Sequence, residues 1–311
     1  MITVIVPVFN GREYLGRLLD TLDAQTLRAG EILVVDNGST DGAPGLARER
    51  GARVLAMGRN AGFAPAVNCG IREARGEWLA ILNSDVALAP DYLERLAAAG
   101  APFSTGRIRS PQGTLDAAFD LTTRAATTWR AGAGMADGPP FDRACDIASP
   151  PFTAVLLRAD VFARAGLLDE AFESYLEDAE FGLRCARLGI RGRYVPEARA
   201  VHLGSATLGR WHPDTVRRIS RNQLLLAARH LPRSCWWPVL VGQLLWGAVA
   251  FRHGRGLAWL RGKREGLRGF AFAREVPAVL DEALRSNEQF IRSTASGPYW
   301  SLYFLLTRGA K

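Results

Sequence analysis

"EILVVDNGSTD", residues 31–41, decides how this chain reads. Four apolar residues, Ile32, Leu33, Val34 and Val35, run straight into Asp36, Asn37, Gly38, Ser39, Thr40 and Asp41. An apolar run without polar alternation predicts a strand buried on both faces. Sheets of that kind are covered by helices, and their ligands gather at the carboxyl ends of the strands. Ser39, Thr40 and Asp41 suit a helix cap. Asp36 lies one step earlier, at the strand mouth, where a carboxylate can accept hydrogen bonds from a base or ribose.

The same unit recurs on both sides. "TVIVPVF" and "ARVLAMG" predict strands, as does "EWLAILNSD". Between them, "REYLGRLLDTLDAQ" carries Leu15, Leu18, Leu19 and Leu22 at helical spacing. "GAPGLARERG", "GFAPAVNCGIREAR" and "APDYLERLAAAG" also predict helices. Strands alternating with helices imply an α/β fold with a mostly parallel sheet. Residues 101–149 are rich in Gly, Pro, Thr and Asp and predict loops and short strands that cover the site. Order resumes with the strand and helix of "FTAVLLRADVFARAG", the helix of "YLEDAEFGLRCARLG" and a short strand with a loop in "GRYVPEARAVHLGS".

The bulk composition sets the frame. With 311 residues the chain can bury a large core, as one domain or a domain with an appendage. A net charge of +8 suits anionic partners such as phosphorylated small molecules, membrane or nucleic acid. Cys69, Cys145, Cys185 and Cys235 are far apart, which predicts neither a zinc site nor a disulfide framework and fits a reducing cytoplasm. "MITVIVPVFN" has no basic leader and no cleavage site, so it predicts a strand rather than a signal peptide. No stretch is expected to reach the ~18–20 apolar residues of a spanning helix. The nearest, "WWPVLVGQLLWGAVAF" (residues 236–251), holds Pro238 and Gln243.

From about residue 214 the texture turns helical, cationic and tryptophan-bearing. Residues 1–213 are therefore expected as one catalytic unit, with halves at about 1–100 and 101–213, and residues 214–311 as a helical segment. Trp236, Trp237, Trp246 and Trp259 among arginines fit an anionic membrane surface. Packing on the domain or on a second subunit, as in a homodimer, fits the same pattern.

Several small clusters lie where strands should end. "RNAGFAPAVNCGI" sets Asn60, Gly62 and Asn68 around a helix start; Gly62 allows close backbone approach and a helix N-terminus favours phosphate. "AILNSDV" runs into Asn83, Ser84 and Asp85, and a carboxylate there can hold Mg²⁺ or Mn²⁺ together with a diphosphate. "ESYLEDAEFGLR" carries Glu177, Asp178 and Glu180. Helical spacing puts Glu177 and Glu180 on one face and Asp178 elsewhere. Plain helix-start acidity also explains these acids, and one of them acting as a base is the sharper expectation. His202 follows a strand and, as a neutral imidazole, is a competent metal ligand. His212 and His230 are expected to be structural.

The ordered set "VIVPVFN", "VVDNGSTD", "NAGFAPAVNCGI", "LNSDV", "YLEDAEFGLRCARLG" and "VHLGS" resembles the family 2 glycosyltransferases of the GT-A fold, nearest their bacterial rhamnosyltransferase-like group. The resemblance covers residues 2–209. It implies that Pro7, Phe9 and Asn10 line a nucleotide pocket and that Asp36 reads a pyrimidine base. It implies Asp85 as the metal-holding acid of a DxD-type motif whose first acid is Asn83 here, His202 near the diphosphate and metal, and Asp178 as catalytic base. A cytoplasmic, inverting enzyme is the expectation, using Mg²⁺ or Mn²⁺. It would move rhamnose or a similar hexose from a thymidine or uridine diphosphate carrier to a glycan or polyprenyl-linked acceptor.

Rival readings are weaker on the residues themselves. A dinucleotide oxidoreductase needs GxGxxG after the first strand, and "PVFNGREYLG" lacks it. A nucleotidyltransferase would want a glycine- and lysine-rich phosphate loop at that place. Acids at the strand mouths would repel nucleic acid. Asn83 leaves room for an inactive, scaffold-like transferase.

Overall fold

A computed structural model describes residues 1–203 and 211–309. The Gly204–Ser205 turn expected after His202 lies outside the described residues. The first half runs β1 (Ile2–Val8), α1 (Arg12–Asp23), β2 (Glu31–Asp36), α2 (Ala43–Glu49), β3 (Arg53–Ala56), α3 (Phe63–Glu73), β4 (Trp78–Leu82), β5 (Val86–Leu88) and α4 (Tyr92–Ala98). It continues with β6 (Phe103–Arg109), β7 (Leu115–Ala117), β8 (Asp120–Thr122), β9 (Thr128–Arg130), β10 (Cys145–Ile147), β11 (Ala154–Arg158), α5 (Ala159–Ala165), α6 (Glu177–Arg187) and β12 (Gly192–His202). Five helices follow: α7 (Pro213–His230), α8 (Trp236–Arg252), α9 (Gly256–Gly266), α10 (Ala278–Thr294) and α11 (Pro298–Leu306).

The main sheet has the order β10-β12-β6-β11-β4-β1-β2-β3, with β5 on β12 and β7 on β6. Strands β3, β2, β1 and β4 are parallel neighbours, as the alternating pattern predicts. Beyond β4 the sheet is mixed: β11 is antiparallel to β4 and β6, while β12 is parallel to β6. Two elements differ from expectation. Phe103–Arg109 is a full interior strand, although Ser104, Thr105 and Arg107 make it read as loop. The chain at β12 is an 11-residue strand, not a short one. Pro196 in its middle obscures it, together with a register shift between Val195 and Arg199, although Arg193, Glu197 and Arg199 alternate with buried Tyr194, Ala198 and Ala200.

Alternation along β1 splits the core. Val4, Val6 and Val8 pack on one face with Leu15, Leu18 and Leu19 of α1 and Leu93 and Leu96 of α4. Ile5 packs on the other with Ala64 and Val67 of α3 and with Phe162 and Phe181. Each fully buried aliphatic side chain contributes about 1.5–3 kcal/mol by leaving water. A one-residue slip of β1 would exchange the two faces.

The C-terminal helices share these clusters with the first two hundred residues. Ile291 of α10 joins the Ile5 cluster, and Leu280 and Leu284 pack with Ala126, Phe172, Leu183 and Leu226. Glu288 accepts hydrogen bonds from the backbone N–H and Nε of Arg124. The helical run Arg233–Arg252 has 20 residues and a mean hydropathy of 1.3, so by length and composition it could cross a membrane. The run includes Arg233, Ser234 and Arg252, so its apolar part remains the shorter stretch at residues 236–251 that the sequence showed, with Gln243 inside it. Of its apolar window, 44% is buried against the protein. Gln243 turns inward, where Nε2 donates to Ala125 O (2.8 Å) and Oε1 accepts from Lys263 Nζ.

Candidate active site

A cavity of about 450 Å³ opens at the carboxyl ends of β1, β2 and β4. Pro7, Phe9, Asn37, Asn60 and Gly62 form one part of its wall, and Asn83, Ser84, Asp85 and His202 another. Asp120, Arg130 and residues 174–178 contribute from later in the chain, together with Arg218 and Ile219 of α7.

The opening motif is a knot of side-chain to backbone bonds. Asp36 stands at the end of β2, 7% exposed, beside the lining residues rather than among them, and its Oδ1 accepts from Ser39 N–H (2.9 Å). Asn10, with φ of 50°, accepts at Oδ1 from Thr40 N–H (2.8 Å), while its own N–H donates to Ser39 Oγ (3.0 Å). Asn10 therefore ties the β1 exit to the β2 exit and does not line the cavity. Asp41 accepts from Ala43 N–H (3.0 Å) and from Arg12 N–H (2.8 Å), so one carboxylate serves the first turns of α2 and α1. Gly38 has φ of +85°, and a Cβ there would meet Arg59 Cα at 2.9 Å, so glycine is required. Asn37, which the sequence did not single out, accepts from Ala61 N–H (2.9 Å) and donates to Gly62 O (3.0 Å).

The helix-start expectation for α3 needs correction. Its first N–H groups are already taken: Gly62 N–H by Asn60 Oδ1, Phe63 N–H by Ser174 Oγ and Ala64 N–H by Glu173 O. No donors are left there for a phosphate. The close approach that Gly62 permits is to protein backbone, since a Cβ would lie 2.7 Å from Glu173 O. Asn68 is also misplaced by sequence reasoning. It is 1% exposed, outside the cavity, and pins Leu168 through both its N–H and its carbonyl oxygen.

Glu177 and Asp178 both line the cavity, while Glu180 turns inward to Arg184 and His230. The expected pairing of Glu177 with Glu180 on one face fails because Glu180 finds cationic partners in the core. His230 is structural, as expected. Beside Asp178 lies Asp120, close enough to share a hydrogen bond. Burial, with the Asp178 charge adding, pushes the carboxyls of Asp120 and Glu177 well above their usual range.

A chain of opposite charges links this cluster to Asp85. His202 Nε2 is 3.2 Å from Asp85 Oδ1 and its Nδ1 is 3.0 Å from Asp116 Oδ2. Arg130 reaches Asp116 (3.3 Å), Asp120 (4.0 Å) and Thr153 Oγ1 (3.1 Å). Burial would lower the His202 pKa, but the hydrogen bonds to Asp116 and Asp85 outweigh it and raise it to about 9. The imidazole thus favours its charged form while it faces the two carboxylates alone, and a cation at Nε2 would have to displace the proton there. Sequence reasoning missed Asp116, Asp120 and Arg130. They sit on strands of three residues, too short for any periodic signal.

Among the described residues no group of three or more His, Cys, Asp or Glu side chains is arranged to hold a metal ion. The chain does bring together a carboxylate and an imidazole, Asp85 and His202, on the cavity wall. Mg²⁺ sites that serve phosphorylated substrates commonly use one or two carboxylates completed by phosphate oxygens and water, and Asp85 supplies one such carboxylate. The donor set fits a divalent cation in that partial way.

The family model for glycosyl transferase family 2 matches residues 3–101, the segment that supplies Pro7, Phe9, Asp36 and Asp85. Residues 3–101 are a family 2 glycosyltransferase segment, which makes the chain a glycosyltransferase. This transferase is 27% identical over 294 residues to an N-acetylglucosaminyl-diphospho-decaprenol L-rhamnosyltransferase of Mycobacterium tuberculosis, covering 81% of the chain and 91% of that relative. It is also 35% identical over 114 residues to the succinoglycan biosynthesis protein ExoO of Rhizobium meliloti, or 34% of the chain and 33% of ExoO. Among solved structures, GalNAc-T7 with UDP, GalNAc and Mn²⁺ superposes with a TM-score of 0.64 at 14% identity, covering 86% of the transferase and 57% of GalNAc-T7. The mannosyltransferase PcManGT from Pyrobaculum calidifontis, in complex with GDP-Man and Mn²⁺, gives 0.52 at 17% identity over 99% and 79% of the two chains. The transferase has the GT-A fold that the sequence motifs implied.

Proposed function

We propose that the transferase moves rhamnose or a similar hexose from a thymidine or uridine diphosphate carrier to a hydroxyl of a glycan or polyprenyl-linked acceptor, in cell-surface polysaccharide assembly. One observation carries this: a single cavity holds both the Asp178 cluster and the Asp85–His202 pair. The relative from M. tuberculosis, named for rhamnosyl transfer to a diphospho-decaprenol sugar, supports the transferred sugar and the acceptor class.

The roles follow from chemistry. Asp36 and the Pro7–Phe9 wall would receive the base, and Asn83 and Ser84 the donor beyond it. Asp178 would take the proton of the acceptor hydroxyl as that oxygen bonds to the anomeric carbon. The bond from that carbon to the diphosphate breaks on the far side, its electrons staying on the leaving phosphate oxygen, so configuration inverts. Asp120 and Glu177, buried and inclined to keep their protons, are poor second nucleophiles. Asp85 and His202 would hold Mg²⁺ or Mn²⁺, which supplies charge neutralisation at the diphosphate.

The C-terminal helices suggest where the acceptor is met. Among the described residues, all the exposed large apolar side chains except Met1, Leu27 and Leu188 lie between 236 and 306. Trp236, Leu240, Leu244 and Phe251 repeat at helical spacing along α8, against which α9 and α11 pack. Arg252, Arg261, Arg264 and Arg268 are exposed beside them. Apolar and cationic side chains together fit an anionic bilayer surface. Two of the four tryptophans first assigned to that surface face inward: Trp246 Nε1 donates to Ser220 Oγ, and the Trp259 ring packs on Gly247.

A thermal-shift panel of nucleotide sugars with Mn²⁺ tests the function. A shift with one thymidine or uridine diphosphate hexose, followed by transfer to a lipid-linked glycan, is expected. No shift with any nucleotide sugar would overturn the proposal.

A further inference from the structure

Of the five non-glycine residues with positive φ among those described, three lead directly into α6: Glu173 (57°), Tyr175 (75°) and Leu176 (68°). A side chain with a Cβ adopts this region only against a steric penalty, so something must hold it there. The stretch matters because Ser174, Tyr175, Leu176, Glu177 and Asp178 are consecutive residues of the cavity wall. The backbone at 173–176 therefore sets where the first turn of α6 points.

The holding group is Asn222 of α7, whose side chain is fully buried. Its Nδ2 lies 2.8 Å from Phe172 O, 3.0 Å from Ser174 O and 2.7 Å from Tyr175 O. Two N–H bonds thus serve three carbonyls along one turn. The orientation of the amide is fixed from behind, because Oδ1 accepts from Arg221 Nε (2.9 Å). Neighbours on α7 grip the flanks: Arg221 bonds Ala171 O and Glu173, and Thr215 meets the Tyr175 hydroxyl. Only a side chain that donates twice from one point can bridge those three carbonyls.

We propose that Asn222 is a positioning residue for sugar transfer. By clamping the 172–175 carbonyls it keeps Tyr175 and Leu176 left-handed and so presents Asp178 to the acceptor hydroxyl. This rests on Asp178 being the base. Helix α7 is then part of the catalytic apparatus although it carries no reacting group.

The test is Asn222→Asp, which keeps the shape, removes both donors and turns an oxygen toward three carbonyls. Activity on donor and acceptor should fall about a hundredfold in kcat, the scale of a misplaced reacting group. Calorimetric affinity for the nucleoside diphosphate with Mn²⁺ should stay at the wild-type value, since Pro7, Phe9 and Asn37 are untouched. Asn222→Ser keeps one donor and should give an intermediate kcat, which preserves the test if the aspartate variant folds poorly. Wild-type kcat in both variants would overturn the proposal, as would parallel loss of kcat and nucleotide affinity with the melting temperature. Asp178→Asn run alongside separates the two assignments. If it transfers normally, the base is elsewhere and the proposal falls with it; if it is dead while Asn222→Asp is fully active, only the proposal falls.

Discussion

His202 Nε2 stands 3.2 Å from Asp85 Oδ1, and this pair joins the end of β12 to the turn after β4. The two strands are not neighbours in the main sheet; β5, which follows Asp85, pairs with the end of β12 and brings the side chains together. The cation proposed at this pair should make transfer metal-dependent. Chelator should abolish transfer, and Mn²⁺ or Mg²⁺ should restore it. Asp85→Asn should need far more cation for half-maximal activity. Full turnover of the wild type in chelator would remove the metal role.

Asp178→Asn should lower kcat by about a hundredfold to ten-thousandfold, the usual contribution of a positioned general base. Nucleoside diphosphate affinity, measured by calorimetry, should be unchanged. Turnover near the wild-type rate would end the assignment of Asp178 as base.

Acid stability should depend on Glu180. Burial would raise its pKa, but hydrogen bonds from His230 and Arg184 more than offset this and hold it below its ordinary 4.5. A depressed folded pKa adds stability that is complete above the unfolded value and is lost as pH falls through the folded one. Urea midpoints measured from neutral pH down to about pH 3 should therefore decline steeply below about pH 4.5. Glu180→Gln should start lower and show a shallower decline. An equally steep acid limb in that variant would sink the claim.

Flotation with vesicles containing anionic lipid should carry the wild-type protein, and high salt should weaken the effect. Replacing Trp236, Leu240 and Leu244 together with serine should leave it at the bottom of the gradient with its melting temperature maintained, because all three side chains are exposed. Unchanged flotation would shift the apolar face to another partner, with a second copy of the chain the first to test by sedimentation.

The motif residues that proved legible are those whose chemistry follows locally from chain direction. Asp36, Asn83, Ser84 and Asp85 come directly after apolar runs, so their place at strand ends could be read without knowing what packs on them. Asn68 and Glu180 looked equally eligible and were drawn into the core by partners far along the chain, Leu168 and His230. Asp116, Asp120 and Arg130 could not have been found by period, since a three-residue strand has none.

The sequence by itself determined the alternating parallel half of the sheet, the family motifs and the positions of the strand-end acids. Hydrophobic period and turn chemistry are local, and they act on neighbouring residues. Tertiary structure alone decided that His202 is bridged by Asp85 and Asp116, that Arg130 sits between two carboxylates and that Asn222 holds the turn before Asp178. Those contacts join residues far apart in the chain. Their energy comes from burying polar groups with partners, which no single segment contains.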